Sequence, residues 1–361
     1  MHINLKYLSM VMVCTRPLVA VVVLFLTFNS ARAENVAASI HVGAFDLPRY
    51  SDFLSAETRL GIERLTALRA RARKLCDPST KFTGEEIRDC EALMYPPILE
   101  EARKIYDVRI AARTIGGVYT DVVTPIEGVS KKNERRVLIN AHGGAFRYGA
   151  RFAGLLEAMP LAAIGKYKVV TVDYRMGPEN QYPAASEDIV AVYRYLLKEY
   201  DATQIGLYGC SAGGRIVGQA VAWMAEHKLP RPGAVAMLCA APIRFGGDSQ
   251  IIASALKGSP PRVRDFTVGY WKGVNPADPV AFPGESDEKV AKFPPSLLMA
   301  STRDFNLSPV IQMHSNLVRL GVPAELHIFE GLGHGEFLNM YIPESRQAAH
   351  IVSAFFDAYL K

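Results

Sequence analysis

Three observations predict an α/β domain with a mostly parallel sheet from about residue 107 onward. Short apolar runs bounded by Gly, Pro or Asp alternate with amphipathic stretches, a Gly-rich turn links one run directly to the stretch after it, and 49% hydrophobic residues supply a large core. With 9% aromatic and 21% charged residues, the composition is that of a folded globular chain and excludes a disordered or collagen-like one. A length of 361 residues fits one large α/β domain carrying an added segment.

The elements follow in order. Val108 to Arg113 and Tyr119 to Thr124, joined through Ile115-Gly116-Gly117, read as an antiparallel edge hairpin. Six further strands are expected at Arg136 to Asn140, Val169 to Tyr174, Ile205 to Tyr208, Ala234 to Cys239, Ser296 to Ala300 and Glu325 to Phe329. Between and after them, Ala185 to Glu199, Gly213 to His227, Pro309 to Leu320 and Arg346 to Leu360 have helical spacing. Upstream, from Leu54 to Tyr106, the pattern is helical throughout. Ser55-Ala-Glu-Thr opens a helix with apolar Leu60, Ile62, Leu65, Leu68 and Leu75, and its Arg-rich remainder reads as a solvated face. Thr83-Gly-Glu-Glu marks a second helix start, and Pro96-Pro97 a third.

The N-terminus has the order of a secretory signal. Lys6 and Arg16 precede the apolar run Pro17 to Phe28, and Ala31-Arg32-Ala33 supplies small residues at a cleavage site. The alternative is an uncleaved anchor that also uses the apolar stretch Leu8 to Cys14, which Arg16 interrupts. Residues 1–33 are therefore expected to be a signal peptide, and the mature protein to be exported to a periplasm or medium. The formal charge is +5, but those 33 residues hold three basic groups and no acid, which leaves +2 for the chain from Glu34. Such a balance gives no electrostatic case for nucleic acid, and no membrane partner is expected after cleavage.

Cys76, Cys90, Cys210 and Cys239 remain after cleavage. In an oxidising compartment Cys76 and Cys90 are expected to close a short loop, the alternative being two buried thiols. Neither has a CxxC neighbour or a spaced His pair, so no metal is expected.

The chemistry centres on Gly209-Cys210-Ser211-Ala212-Gly213, between a strand and a helix. A GxSxG there forms a sharp elbow that lifts the Ser oxygen to a helix N-terminus, so Ser211 is the expected nucleophile. Chance alone puts GxSxG in about one chain in ten of this size, so the flanking elements give the motif its weight. The base and its carboxylate should follow the Ser, acid first. Of eight histidines, His334 lies on a loop beyond the final strand and is the expected general base. Asp304, after the strand before it, is the expected carboxylate, with Glu330 and Glu336 as alternatives that flank the His closely. Asn140-Ala-His142-Gly143-Gly144 follows a strand directly, so Gly143 and Gly144 N–H, with Ala212 N–H, are expected to form the oxyanion hole, His142 ordering the loop.

Together His142-Gly-Gly, the segment Val172-Asp-Tyr-Arg-Met-Gly-Pro-Glu-Asn-Gln-Tyr-Pro-Ala-Ala-Ser-Glu-Asp188, the GCSAGG elbow, Asp304 and His334 resemble the hormone-sensitive-lipase-like branch of the α/β-hydrolases, from about residue 107 to the end. The resemblance implies an α/β-hydrolase fold at 107–361, a helical cap at 34–106, and a serine carboxylesterase acting on small to medium acyl esters or lactones without a cofactor. Asp173, Arg175 and Glu179 read as residues that pin a turn beside the site. The chain departs from the family at Cys210, where an acidic residue or Thr is usual, and at Arg215, where Asn is common. Cys210 and Cys239 end neighbouring strands and are expected to be two buried thiols, a second disulfide being the alternative.

Two rival readings remain. A serine peptidase of the same fold usually adds a gating domain larger than the segment available here, and a non-catalytic ligand-binding protein should lack a triad member. The sequence is silent on oligomeric state. If the signal reading holds, Edman sequencing of the exported protein reads from Glu34; a product that still carries residues 1–33 sinks it.

Overall fold

The computed structural model describes residues 48–77, 79, 86–256, 266 and 269–361; the expected signal segment and the helix start at Thr83 lie outside them. In chain order the described elements are helices α1 (Ala56–Arg73) and α2 (Ile87–Arg103), strands β1 (Val108–Ile115), β2 (Val118–Pro125) and β3 (Val137–Ala141), then α3 (Ala153–Ala163), β4 (Lys168–Val172), α4 (Ala184–Leu196), β5 (Ile205–Cys210), α5 (Ala212–Glu226) and β6 (Ala234–Leu238). They continue with α6 (Asp248–Leu256), α7 (Asp287–Val290), β7 (Ser296–Ser301), α8 (Leu307–Arg319), β8 (Ala324–Phe329) and α9 (Pro343–Tyr359).

The strands form one eight-stranded sheet in the order β1-β2-β4-β3-β5-β6-β7-β8. β1 pairs antiparallel with β2, and β2 with β4; every later pairing is parallel. The central strands β3, β5, β6 and β7 are buried at every residue, as parallel strands covered by helices on both faces must be. Alternation along them divides two cores. Val137, Ile139, Leu207, Val235 and Leu298 pack with α4, α5 and α8, whereas Leu138, Tyr208, Ala236 and Met299 pack with α1, α2, α3 and α9. Each fully buried large side chain contributes about 1.5–3 kcal/mol, so this two-sided burial is what holds the strand ends, and hence the site, in place.

All eight expected strands are present, with ends differing by one or two residues. Helices α3, α6 and α7 are additions to the sequence reading. Pro96 and Pro97 do not start a helix: both lie inside α2, although each removes an N–H from the ladder. Apolar side chains on either side of them, Ile87 before and Ile98, Leu99 and Ala102 after, are buried, and that packing carries the helix through. On α1 the contact face is Thr58, Gly61, Leu65 and Ala72, at helical spacing, while Leu60 on the helix and Leu75 just past its end are exposed. Gly61 sets this face, since a Cβ there would lie 2.6 Å from the Tyr341 carbonyl oxygen.

Ser55 caps α1 by accepting from Thr58 N–H. Cys76 and Cys90 are disulfide-bonded, with Cα atoms 5.0 Å apart, and tie the end of α1 to the start of α2. Loop-closure entropy puts the contribution of a loop this short at about 3 kcal/mol. Replacing both with Ser should lower the free energy of unfolding by about 2–4 kcal/mol in urea titration under oxidising conditions; an unchanged midpoint would show that the link constrains nothing.

Candidate active site

The sharpest backbone feature lies where β5 meets α5. Ser211 has φ 58° and ψ −118°, a conformation an L residue adopts only when its surroundings force it. Those surroundings are the backbone of β3. A Cβ on Gly209 would lie 2.1 Å from the Ala141 carbonyl oxygen and one on Gly213 1.8 Å from the same atom, so no other residue fits at either position. Ser211 N–H donates to the Leu238 carbonyl at 2.9 Å, fixing the turn to β6. The Ser hydroxyl therefore stands at the carboxyl end of the sheet, at the N-terminus of α5, whose dipole favours negative charge.

His334 and Asp304 converge on it. Ser211 Oγ lies 2.8 Å from His334 Nε2, and His334 Nδ1 lies 2.7 Å from Asp304 Oδ1. A carboxylate only accepts, so Nδ1–H donates to Asp304 and Nε2 is left to accept from the Ser hydroxyl. Asp304 is fully buried, and its Oδ1 also accepts from Asn306 N–H at 2.8 Å. Asn306 donates its side-chain amide to the Cys239 carbonyl and accepts from the buried Arg215, which also donates to the Ile243 carbonyl. Arg215 thus braces the acid loop from beneath the elbow. The ring of Phe305 packs on His334 with centroids 4.1 Å apart.

The two alternative acids are engaged elsewhere. Glu336 accepts from Gly333 N–H at 2.7 Å, steadying the His loop, and Glu330 accepts from Ser51. Of the turn residues, Asp173 pairs with Arg151, Glu179 with Arg88 of α2, and Arg175 with Glu187 and the buried Asp188. They therefore brace the turn through separate partners and do not bind one another.

The loop after β3 requires a correction. Gly143 N–H donates to Glu157 Oε1 at 2.8 Å and so is not free to hold a substrate oxygen. Gly144, at φ 126°, and Ala145, at φ 54°, come next. No described residue accepts from their N–H groups or from that of Ala212. The shift by one residue arises because Glu157 reaches in from α3, an element absent from the sequence reading. His142 is fully buried, stacks on Tyr174 at 4.2 Å and is pushed down to about 4 by burial, so it is a neutral spacer. Glu91 of α2 accepts from Gly149 N–H at the far end of the same loop, and burial pushes it up to about 7.

A second correction concerns the thiols. Cys210 and Cys239 are joined as a disulfide, Cα atoms 5.5 Å apart, between the nucleophile strand and β6. Cys210 is in register with Leu238, and the positive φ of Cys239, 45°, turns its sulfur toward the same face. Cys239, Asp304 and His334 hold ligand-type atoms within 4.8 Å of one another, but the sulfur is already bonded and offers no thiolate to a metal. Beside His334 and Glu336 a small groove is lined by Ile62, Leu65, Thr66 and Arg69 of α1.

A family model described as alpha/beta hydrolase fold matches residues 138–338. An acetyl-hydrolase of Streptomyces hygroscopicus is 24% identical over 249 residues, which are 67% of this chain and 80% of that protein. The crystal structure of an esterase named E25 superposes with a TM-score of 0.73 at 28% identity, covering 90% of this chain and 99% of that one. An esterase from the bacterial hormone-sensitive lipase family superposes with a TM-score of 0.71 at 24% identity, covering 85% and 99%, a likeness of fold. The chain belongs to the α/β-hydrolase fold family, and the relatives it resembles over most of their length are an acetyl-hydrolase and an esterase.

Proposed function

We propose that this esterase is exported and hydrolyses small to medium acyl esters or lactones through an acyl-enzyme on Ser211. The observation that carries the reading is the unbroken relay from Ser211 Oγ to His334 Nε2 at 2.8 Å and from His334 Nδ1 to the buried Asp304 at 2.7 Å. Supporting it, the N–H groups of Gly144 and Ala145, on the loop after β3, and of Ala212, next to Ser211, have no acceptor among the described residues. The carboxylate holds the imidazole in the tautomer that accepts the Ser proton and stabilises the imidazolium once it forms.

Ser211 Oγ attacks the carbonyl carbon as its proton passes to His334 Nε2, and the carbonyl oxygen takes up negative charge against the three N–H groups. Collapse expels the alcohol, which receives the proton from His334. Water then attacks the acyl-Ser ester by the same route, with His334 again the base, and frees the acid and Ser211. No step calls for a metal or an organic cofactor. A lactone makes the same demands, its alcohol remaining tethered to the acyl group. The segment 34–106, with its described helices α1 and α2, is read as a cap, supported by the groove between α1 and His334.

Among rivals, a binding protein on this scaffold has no need of an assembled triad, and the comparisons reported above are with an acetyl-hydrolase and esterases, not peptidases. The test is hydrolysis of p-nitrophenyl esters from acetate to palmitate by the chain from Glu34, beside Ser211→Ala and Asp304→Asn. Short chains should be cleaved fastest, Ser211→Ala should lose at least about 10⁴-fold in kcat, and Asp304→Asn should lose about as much through the wrong tautomer. A Ser211→Ala protein as active as the parent would overturn the acyl-enzyme, and no turnover of any ester by the folded parent would overturn the substrate class.

A further inference from the structure

We infer that Glu157 is a positioning residue for ester hydrolysis, a single buried carboxylate that fixes the oxyanion loop and the nucleophile strand at a set separation. The inference rests on the Ser211 reading above. Its basis is a three-way contact. Glu157 Oε1 accepts from Gly143 N–H at 2.8 Å, while Oε2 accepts from Asn140 Nδ2 at 2.9 Å and from Cys210 N–H at 3.3 Å. Gly143 is the residue before the free loop donors and Cys210 is the residue before Ser211. One side chain on α3 therefore holds the backbone on either side of the gap in which the ester carbonyl must sit. Asn140 is in turn fixed by Thr171 Oγ1 at 2.9 Å. Gly143 is close-packed between them: a Cβ there would lie 3.3 Å from Glu157 Oε1 and 3.6 Å from Ser211 Cβ.

All three partners are donors, so the arrangement demands the carboxylate form, and a proton on either oxygen would face an N–H and break a bond. No Lys or Arg among the described residues pairs with Glu157. The titratable groups around it are Tyr208 of β5, whose hydroxyl donates to the Glu157 carbonyl, Tyr174 after β4, Tyr95 and Glu91 of α2, and the neutral His142 at the end of β3. Burial pushes Glu157 up to about 7 against the three hydrogen bonds. Because the folded value lies above the unfolded one, stability falls as pH rises from about 4.5 to about 7, and the carboxylate form of the clamp populates as pH rises through about 7. Activity and this part of stability run in opposite directions with pH.

The experiment is steady-state hydrolysis of p-nitrophenyl butyrate between pH 5.5 and 9 by the parent, Glu157→Gln and Tyr193→Phe, each normalised to sites titrated by a phosphonate. Glu157→Gln should lose about 10- to 100-fold in kcat above pH 8 with KM within about twofold, the scale of a misplaced oxyanion donor. The ratio of parent to variant should shrink toward pH 5.5, where the parent's carboxylate is itself protonated. Tyr193→Phe, which removes a hydrogen bond to the Pro230 carbonyl away from the clamp, should keep its kcat. A kcat per titrated site equal to the parent's, or a loss independent of pH, overturns the inference. Should Glu157→Gln not fold, the parent alone decides: an acid limb of log kcat/KM approaching a slope of about 2 supports it, and a single-proton limb overturns it. If the parent neither turns over ester nor takes up phosphonate, it is the Ser211 reading that has failed.

Discussion

The close approach of Gly209 and Gly213 to one carbonyl, that of Ala141, is the contact on which the rest of the site depends. β3 and β5 are adjacent, with Ala141 opposite Gly209, and hypothetical Cβ atoms on the two glycines would both fall within 2.1 Å of the Ala141 oxygen. With the side chains gone, the chain can reverse at Ser211 directly against β3. The residues that follow Ala141 are His142 to Ala145, so the same contact that makes the elbow delivers the oxyanion loop to its side. The Ser211 turn and the loop after β3 are thus consequences of one backbone packing constraint at the centre of a sheet, where burial on both faces leaves little freedom to drift.

How much of this could be read from the sequence follows from the kind of burial each element has. The strands were legible because short β-branched runs between Gly, Pro and Asp have few other uses, and the triad because its members sit on loops just past strands. α3 was not legible. It packs between the sheet and α9, and eight of its eleven residues are buried, so it has no polar face and no amphipathic period. Its one carboxylate, Glu157, was nonetheless a signal: an acid within an otherwise apolar run demands buried donors. The disulfide at Cys210 was obscured by alternation. Cys239 lies one residue beyond the register partner of Cys210, which by a period of two places its sulfur on the opposite face; only its positive φ brings it back.

The helical segment before residue 107 is joined to the chemistry through backbone as well as surface. α1 rides on the loop before α9, where Asn339 donates to the Gly61 carbonyl. α2 reaches the oxyanion loop through Glu91, stacks Tyr95 on Phe152, and pairs Arg88 with Glu179 in the turn after β4. The Cys76–Cys90 link stands one residue from Glu91, so the covalent tie between the two helices also limits how far Glu91 can move from Gly149. A shift of this segment cannot leave the loop after β3 unchanged.

Two carboxylates, Glu91 and Glu157, therefore grip the oxyanion loop at its two ends, both buried and both pushed up to about 7. Burying an acid costs folding free energy unless donors compensate, and here the donors are backbone N–H groups of the very loop whose geometry matters. An apolar residue in either place would relieve that cost and leave the Gly143 and Gly149 N–H groups without acceptors. A loop whose Gly143 and Gly149 N–H groups are satisfied from behind is fixed at both ends, and the N–H groups of Gly144 and Ala145 between them keep no acceptor among the described residues. The stability lost by burying these acids and the orientation gained by the loop have the same physical source.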